Sequence, residues 1–76
     1  MMRSDSTGHV LPGDELAVTE AVQRLDREFR GSIHPRIIVS VVRRSRHELD
    51  SPSPGALPEL LERLARQRLL QHAAEN

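Results

Sequence analysis

The sequence has few of the residues that normally stabilise a very small protein. Its 76 residues include no cysteine, tryptophan or tyrosine, and Phe29 is the one aromatic side chain. Disulfide bonds and zinc–thiolate sites are therefore excluded, and the side chains that bury the largest areas are almost missing. A chain of this length buries about 60–65% of its unfolded surface. We therefore expect one small domain with a thin core, for which self-association is a common remedy.

Lysine and an excess of either charge are also lacking. The eleven basic residues, all arginine, balance eleven acidic residues, so the formal net charge is zero. Proteins that bind nucleic acids usually carry a basic excess, so this balance disfavours that class. No apolar run approaches the roughly 18 residues of a membrane span, and the N-terminus lacks the apolar segment of a secretion signal. We therefore expect a cytoplasmic protein that does not enter a membrane.

Residues 14–30 have the spacing of an amphipathic helix. Their apolar residues recur at i, i+4, i+7 and i+11 and form one narrow stripe: Val18, Val22, Leu25 and Phe29. Asp14 suits the N-cap, and Gly31 follows the last turn, where a left-handed C-cap is favourable. Residues 1–13 are polar with scattered glycine and proline. We predict that they form a disordered N-terminal arm.

The stretch RIIVSVVRRSR can be interpreted as a strand or as a helix. A strand would need both faces buried, because alternation places isoleucine or valine on each side. A helix accounts for a longer apolar stripe that continues past the β-branched run: Ile38, Val41, Val42, Ser45 and Leu49. Pro35 suits the first helical position, and Ile33 and Ile38 are placed to pack together across the first turn. His34 is a chemically poor cap. We predict a helix over 35–49.

A break with the sequence DSPSPG separates this helix from a third one at 55–71. The third helix has its own apolar stripe: Leu57, Leu60, Leu61, Leu64 and Ala65. Pro58 is tolerated only in a first turn, so the cap is Gly55 or Ser53, and the tail beyond the helix is expected to fray. Two acid–base pairs at i,i+4 support the helix: Glu59 with Arg63, and Glu62 with Arg66. Together the patterns predict an all-α fold, a three-helix bundle over 14–72.

No arrangement of residues indicates catalysis or a metal site. The sequence has no glycine-rich phosphate loop, and its serine, histidine and aspartate residues stand outside any recognisable catalytic motif. None of the four histidines stands in an H-x-x-x-H or E-x-x-H arrangement: His9, His34, His47 and His72. We predict that the protein is not an enzyme and uses no metal or cofactor.

The second predicted helix carries a basic column opposite its apolar stripe. Its residues fall at i, i+4, i+7 and i+11: Arg36, Ser40, Arg43 and His47, with Arg44 and Arg46 beside them. Such a column can grip phosphates, and helix-turn-helix domains are also built from three helices. Against this, the third helix follows a proline-rich break and carries acidic residues. We predict a mainly solvated face and keep a DNA-binding alternative that uses Arg36, Arg43, Arg44 and Arg46.

Several apolar residues fall outside the stripes. At 100° per residue, Leu16 lies about 160° from Val18, and Val39 lies about 100° from Ile38. On the third helix, two leucines lie about 120° and 220° from Leu57. Several such residues in a small domain indicate a second buried surface. We therefore predict homodimerisation, or docking to another protein, through a set of four residues: Leu16, Val39, Leu69 and Leu70.

The order of these features also resembles a known family. A first helix ends in Phe29, Pro35 opens a valine-rich helix, and the third helix opens with a Leu-Pro pair in ALPELLERLARQRL. Over about residues 14–70 the chain resembles the small actinobacterial three-helix-bundle dimerisation domain. That domain occurs alone or N-terminal to low-molecular-weight tyrosine-phosphatase-like proteins, including arsenate reductases. The resemblance implies a module for dimerisation or docking without activity, because the catalytic cysteine loop of those proteins has no counterpart here.

Overall fold

Three α-helices make up the part of the chain that the computed structural model describes, residues 12–49 and 55–75. They are α1 (Pro12–Glu28), α2 (Pro35–Glu48) and α3 (Leu57–Glu75). Each helix packs against both of the others, and neither described stretch contains a strand. The predicted all-α three-helix bundle is confirmed, and the stretch RIIVSVVRRSR is helical.

Helix α1 begins two residues earlier than predicted. Pro12 is its first residue, and proline loses no hydrogen bond there because the first N–H groups of a helix have no acceptor within it. Asp14 lies inside the helix instead of capping it. The predicted disordered arm is therefore wrong for residues 12 and 13, and residues 1–11 lie outside the described part of the chain.

Helix α1 ends at Glu28, so its predicted end at residue 30 is wrong, whereas the left-handed turn predicted at Gly31 is present. The Phe29 N–H still donates to the carbonyl of Leu25 at 2.9 Å, and Gly31 then adopts a left-handed backbone with φ 85°. The Phe29 carbonyl accepts the N–H groups of Ser32 at 2.9 Å and Ile33 at 3.1 Å. The turn thus satisfies backbone groups that the helix end leaves open.

Helix α2 begins with a cap that works better than its residue type suggests. The Nδ1 atom of His34 accepts the backbone N–H of Arg36 at 3.1 Å, and Pro35 occupies the first turn. Ile33 and Ile38 are both buried, as expected for apolar residues on either side of a cap. At the other end, the Leu49 N–H donates to the carbonyl of Ser45 at 3.1 Å.

Helix α3 starts later and ends later than predicted. Leu57 is its first residue, and the Leu60 N–H donates to the Ala56 carbonyl at 3.0 Å, so Pro58 lies in the first turn. The predicted end at residue 71 is wrong, because the helix continues to Glu75. A buried leucine at position 69 anchors this last part, and two alanines within it favour helix.

The core is formed by all three helices, and its residues on α1 and α3 are spaced by four throughout. The buried side chains are Ala17, Ala21, Leu25, Phe29, Ile33, Ile38, Val42, Ser45, Leu57, Leu61, Ala65 and Leu69. Three residues of the predicted apolar stripes, Val18, Val22 and Leu49, are only half-buried against this core. Leu64, also predicted inside, is half-buried, and Leu60 from the same stripe is 38% exposed. The alanines take the central positions on α1 because small side chains let neighbouring helices approach closely.

Candidate interaction surfaces

The four predicted interface residues are not equivalent. Leu16 is 57% exposed and Leu70 is 53% exposed, which suits a surface role, while Val39 is half-buried. Leu69 is fully buried, so its assignment to the surface is wrong. Each four-residue step advances about 40° beyond a full turn, so the buried side of α3 has rotated by about 120° between Leu57 and Leu69. Leu69 falls outside the predicted apolar stripe because angles taken from the fixed position of Leu57 do not follow this rotation.

A row of residues beside the core of α1 faces a matching row on α3. The α1 row precedes each buried residue by one position and consists of Leu16, Glu20, Arg24 and Glu28. The α3 row follows each buried residue by one position and consists of Pro58, Glu62, Arg66 and Leu70. We refer to the surface formed by both rows as the α1–α3 face.

Two ion pairs between the helices fix how these rows align. Arg24 Nη1 lies 3.0 Å from Glu62 Oε1, and Arg66 Nη2 lies 2.9 Å from Glu28 Oε1. Both pairs join residues that are 38 positions apart. Because both pairs advance by four on each helix, α1 and α3 run in the same direction and the rows stay in register.

The ion pairs form a continuous chain of alternating charge in the centre of the α1–α3 face. Arg66 holds the Glu28 carboxylate through Nε at 3.0 and 3.1 Å and through Nη2 at 2.9 Å, and it also reaches Glu62 at 2.8 Å. The hydrogen bond from Arg66 lowers the pKa of Glu62, and a second bond from Arg24 adds to this effect. The same carboxylates raise the pKa of Arg66. The formal charges of these two arginines and two glutamates sum to zero.

A shallow groove with a volume of about 400 Å³ lies on this face. Arg24, Pro58, Glu62 and Arg66 line it together with residues at the start of α3. The groove is therefore lined by the charged centre of the face and by the apolar Pro58. The exposed leucines lie outside it, at the ends of the rows.

The basic column predicted on α2 is exposed. Arg36, Arg43, Arg44, Ser40 and His47 all face outward. Within the described ranges, no carboxylate forms an ion pair with Arg36, Arg43 or Arg44, whereas every arginine of α3 has one.

Arg46 does not belong to this exposed column. It is half-buried, and its Nη1 donates to the Leu49 carbonyl at 3.3 Å beyond the end of α2. We therefore remove it from the set of DNA-binding candidates.

A polar contact connects α2 to α3 beside the core. The buried Ser45 hydroxyl donates to the Val41 carbonyl at 2.7 Å and accepts a bond from Arg68 Nη1 at 3.4 Å. Arg68 also donates to Glu48, and this bond lowers the pKa of the Glu48 carboxyl. The buried hydroxyl is thus satisfied, as polar groups inside proteins generally are.

The described residues contain no cluster of three or more histidine, cysteine or acidic side chains that could hold a metal ion. None of the three described helices is long and apolar enough to cross a membrane.

The comparisons with known proteins identify no relative. No protein-family model matches the chain, and no match is found among the curated proteins or the solved structures. The resemblance to the actinobacterial dimerisation domain therefore stays a prediction.

Proposed function

We propose that the protein is a non-catalytic interaction module whose copies pair as a homodimer. The observation that carries this proposal is that Leu16 and Leu70 are both more than half exposed and lie at the ends of the two aligned rows of one face. An assembly that covers this face removes both leucines from water.

The energetics indicate a dimer that responds to concentration. Fully burying one leucine contributes about 1.5–3 kcal/mol, so four half-exposed leucines in a dimer contribute roughly 3–6 kcal/mol. Association costs an estimated 4–15 kcal/mol in lost freedom of motion, so the leucines alone offset only the lower part of this cost. The charged centre of the face must add to them.

Two further considerations support the proposal. The core includes three alanines, Ala17, Ala21 and Ala65, and one aromatic residue, so it buries little area. A partner that binds only the folded state stabilises such a domain. The resemblance to the actinobacterial dimerisation domain, which occurs alone or N-terminal to arsenate-reductase-like proteins, implies the same function. We also propose that the protein is cytoplasmic.

Sedimentation equilibrium over a range of micromolar concentrations tests this proposal. We expect a mass that rises from one chain to two as the concentration increases. A folded monomer at every concentration would exclude the homodimer and would leave docking to a different protein, or the basic face of α2, as the explanation for the exposed residues.

DNA binding through α2 is a second candidate function, favoured by three exposed arginines that form no ion pair with any described carboxylate. Each phosphate contact contributes about 0.9 to the slope of log K against log salt, so three contacts predict a slope near −2.7. The test is a salt titration with a nonspecific duplex, using a variant with glutamine at Arg36, Arg43 and Arg44. Arg63→Gln on α3 serves as the control. Absence of binding at low salt would exclude this function.

A further inference from the structure

The side chains of the α3 row are complementary to those of a second copy of the row that runs in the opposite direction. Along the helix it reads apolar, acidic, basic, apolar, through Pro58, Glu62, Arg66 and Leu70. Read backwards it is apolar, basic, acidic, apolar. A second copy of the row placed antiparallel would therefore bring each charge opposite the opposite charge and each apolar residue opposite an apolar one.

We infer that two copies of the chain pair through their α1–α3 faces in antiparallel orientation, around a two-fold axis midway between Glu62 and Arg66. This inference rests on the proposed homodimer and adds its surface and geometry. Glu62 then faces Arg66 of the second copy, and Pro58 faces Leu70 of the second copy. Every contact occurs twice, as two-fold symmetry requires.

The α1 row fits the same axis. The register of 38 residues between the rows places the axis midway between Arg24 and Glu28, so each of these side chains faces its opposite charge in the second copy. Arg24, Glu28, Glu62 and Arg66 therefore form one eight-membered group of alternating charge across the interface. Such complementary potentials fix the register of an interface and exclude mismatched partners.

Leu16 and Leu70 lie at the ends of this dimer. Leu16 lies ten positions before the axis on α1, and Leu70 lies six positions after it on α3. The two-fold rotation therefore brings Leu16 to within four positions, about 6 Å along the helix axis, of the level of Leu70 in the second copy. Leu16 and the second copy's Leu70 thus lie at the same end of the interface, on diagonally placed helices.

A parallel arrangement of the two copies matches the same charges but not the apolar residues. If the two-fold axis ran parallel to the helices, the α3 row of one copy would face the α1 row of the other. Each α3 residue would then lie opposite the α1 residue whose number is 38 lower. Pro58 would then face Glu20, and Leu70 would face Ser32. Both apolar residues would be placed against polar ones, so the antiparallel arrangement is the one that the face favours.

Thiol cross-linking distinguishes the two arrangements without a background reaction, because the chain has no cysteine. We would prepare Pro58→Cys and Leu70→Cys as separate full-length proteins and treat each alone, and their mixture, with a short bismaleimide. In an antiparallel dimer of either single variant, the two identical cysteines lie about 18 Å apart along the helix axis, so a short linker cannot join them. The antiparallel dimer predicts strong cross-linking in the mixture and little in either single protein.

A control variant and the outcomes that would contradict the proposal complete the experiment. Gln67→Cys lies on the same helix, exposed and outside the α3 row, and should not cross-link. Cross-links within either single protein, or through Gln67→Cys, would overturn the antiparallel geometry while the homodimer stands. A monomeric mass in sedimentation would overturn the homodimer and the geometry together.

A matched pair of leucine variants tests the surface independently of cross-linking. Leu70→Glu should raise the dimer dissociation constant by about tenfold or more, because two glutamates are buried against apolar residues. Leu60→Glu places the same charge on the same helix outside the face, at a residue that is 38% exposed, and should leave the constant nearly unchanged. Equal effects of the two variants would exclude the α1–α3 face, and circular dichroism would verify that both remain helical.

Discussion

His34 shows how an uncommon residue can begin a helix. Its backbone has the extended conformation of a cap, with φ −63° and ψ 140°, and its Nδ1 accepts the N–H of Arg36. An imidazole nitrogen can accept this bond only when it carries no proton, so the neutral ring with its proton on Nε2 is the capping form. The first turn of α2 contains no acidic residue that would otherwise favour this end of the helix.

The stability of variants at His34 tests this description. His34→Ala removes the acceptor and should lower the free energy of unfolding by about 1 kcal/mol. His34→Asp should retain or increase stability, because aspartate is a preferred cap and adds negative charge at the N-terminus of the helix. Urea denaturation near neutral pH measures both. A His34→Ala variant as stable as the wild type would show that the ring contributes nothing to the cap.

Leu69 and Leu70 are adjacent in sequence but have opposite environments. Leu69→Ala should lower the free energy of unfolding by about 2–5 kcal/mol, because the side chain is fully buried and its removal leaves a cavity. Leu70→Ala should change it by about 0.5 kcal/mol or less under dilute conditions in which the monomer predominates. Thermal unfolding monitored by circular dichroism at low concentration compares them. Similar losses would contradict the assignment of Leu69 to the core.

At the scale of the helices, the ion pairs around Glu62 that join α1 to α3 contribute stability that depends on pH. Glu62 has a folded pKa below its ordinary value of 4.5, because Arg66 and Arg24 donate to its ionised carboxylate. A group of this kind contributes stability that is present above the unfolded pKa and is lost as pH falls through the folded pKa. The contribution of Glu62 is therefore complete at neutral pH and decreases below about pH 4.5.

Substitution of Glu62 tests this dependence at the level of the two helices. Glu62→Gln should be less stable than the wild type at neutral pH and should lose less stability on acidification, because the titrating carboxylate is absent. Glu59→Gln is the matched control, since among the described residues Glu59 pairs only with Arg63, at 3.9 Å on the same exposed surface. Urea midpoints near pH 7 and near pH 3 measure the effect. A Glu62→Gln variant that responds to acid as the wild type does would contradict it.

The periodicity of the sequence was sufficient to predict the three helices but not where they end. Spacing placed Leu25, Phe29, Ile38, Val42 and Leu61 correctly inside. The end of α3 was missed because it depends on a tertiary contact. Leu69 packs into the core only because the buried side of α3 rotates along its length, and local propensity carries no information about that rotation.

At the scale of the whole molecule, the candidate site could be predicted only in part. The exposed leucines, Leu16 and Leu70, were found because they fall outside the stripes of their own helices. The α1–α3 face was not found, because it depends on the register that brings Arg24 to Glu62 and Glu28 to Arg66. Within the sequence these charges look like an ordinary solvated surface. Their alternating order matters only once two helices lie side by side.

If two copies pair as proposed, the stability of the whole molecule depends on its concentration. Above the dissociation constant, a tenfold increase in concentration adds about 0.7 kcal/mol per chain, which corresponds to roughly 3–5 °C in Tm for a domain of this size. Scanning calorimetry of the wild type at several concentrations should show this rise, and Leu60→Glu should retain it. Leu70→Glu should show this rise only at concentrations about tenfold higher or more, because its dissociation constant is raised by that factor. A wild-type Tm that is independent of concentration would mean that the thin core is sufficient on its own, and the exposed leucines would then require a different partner.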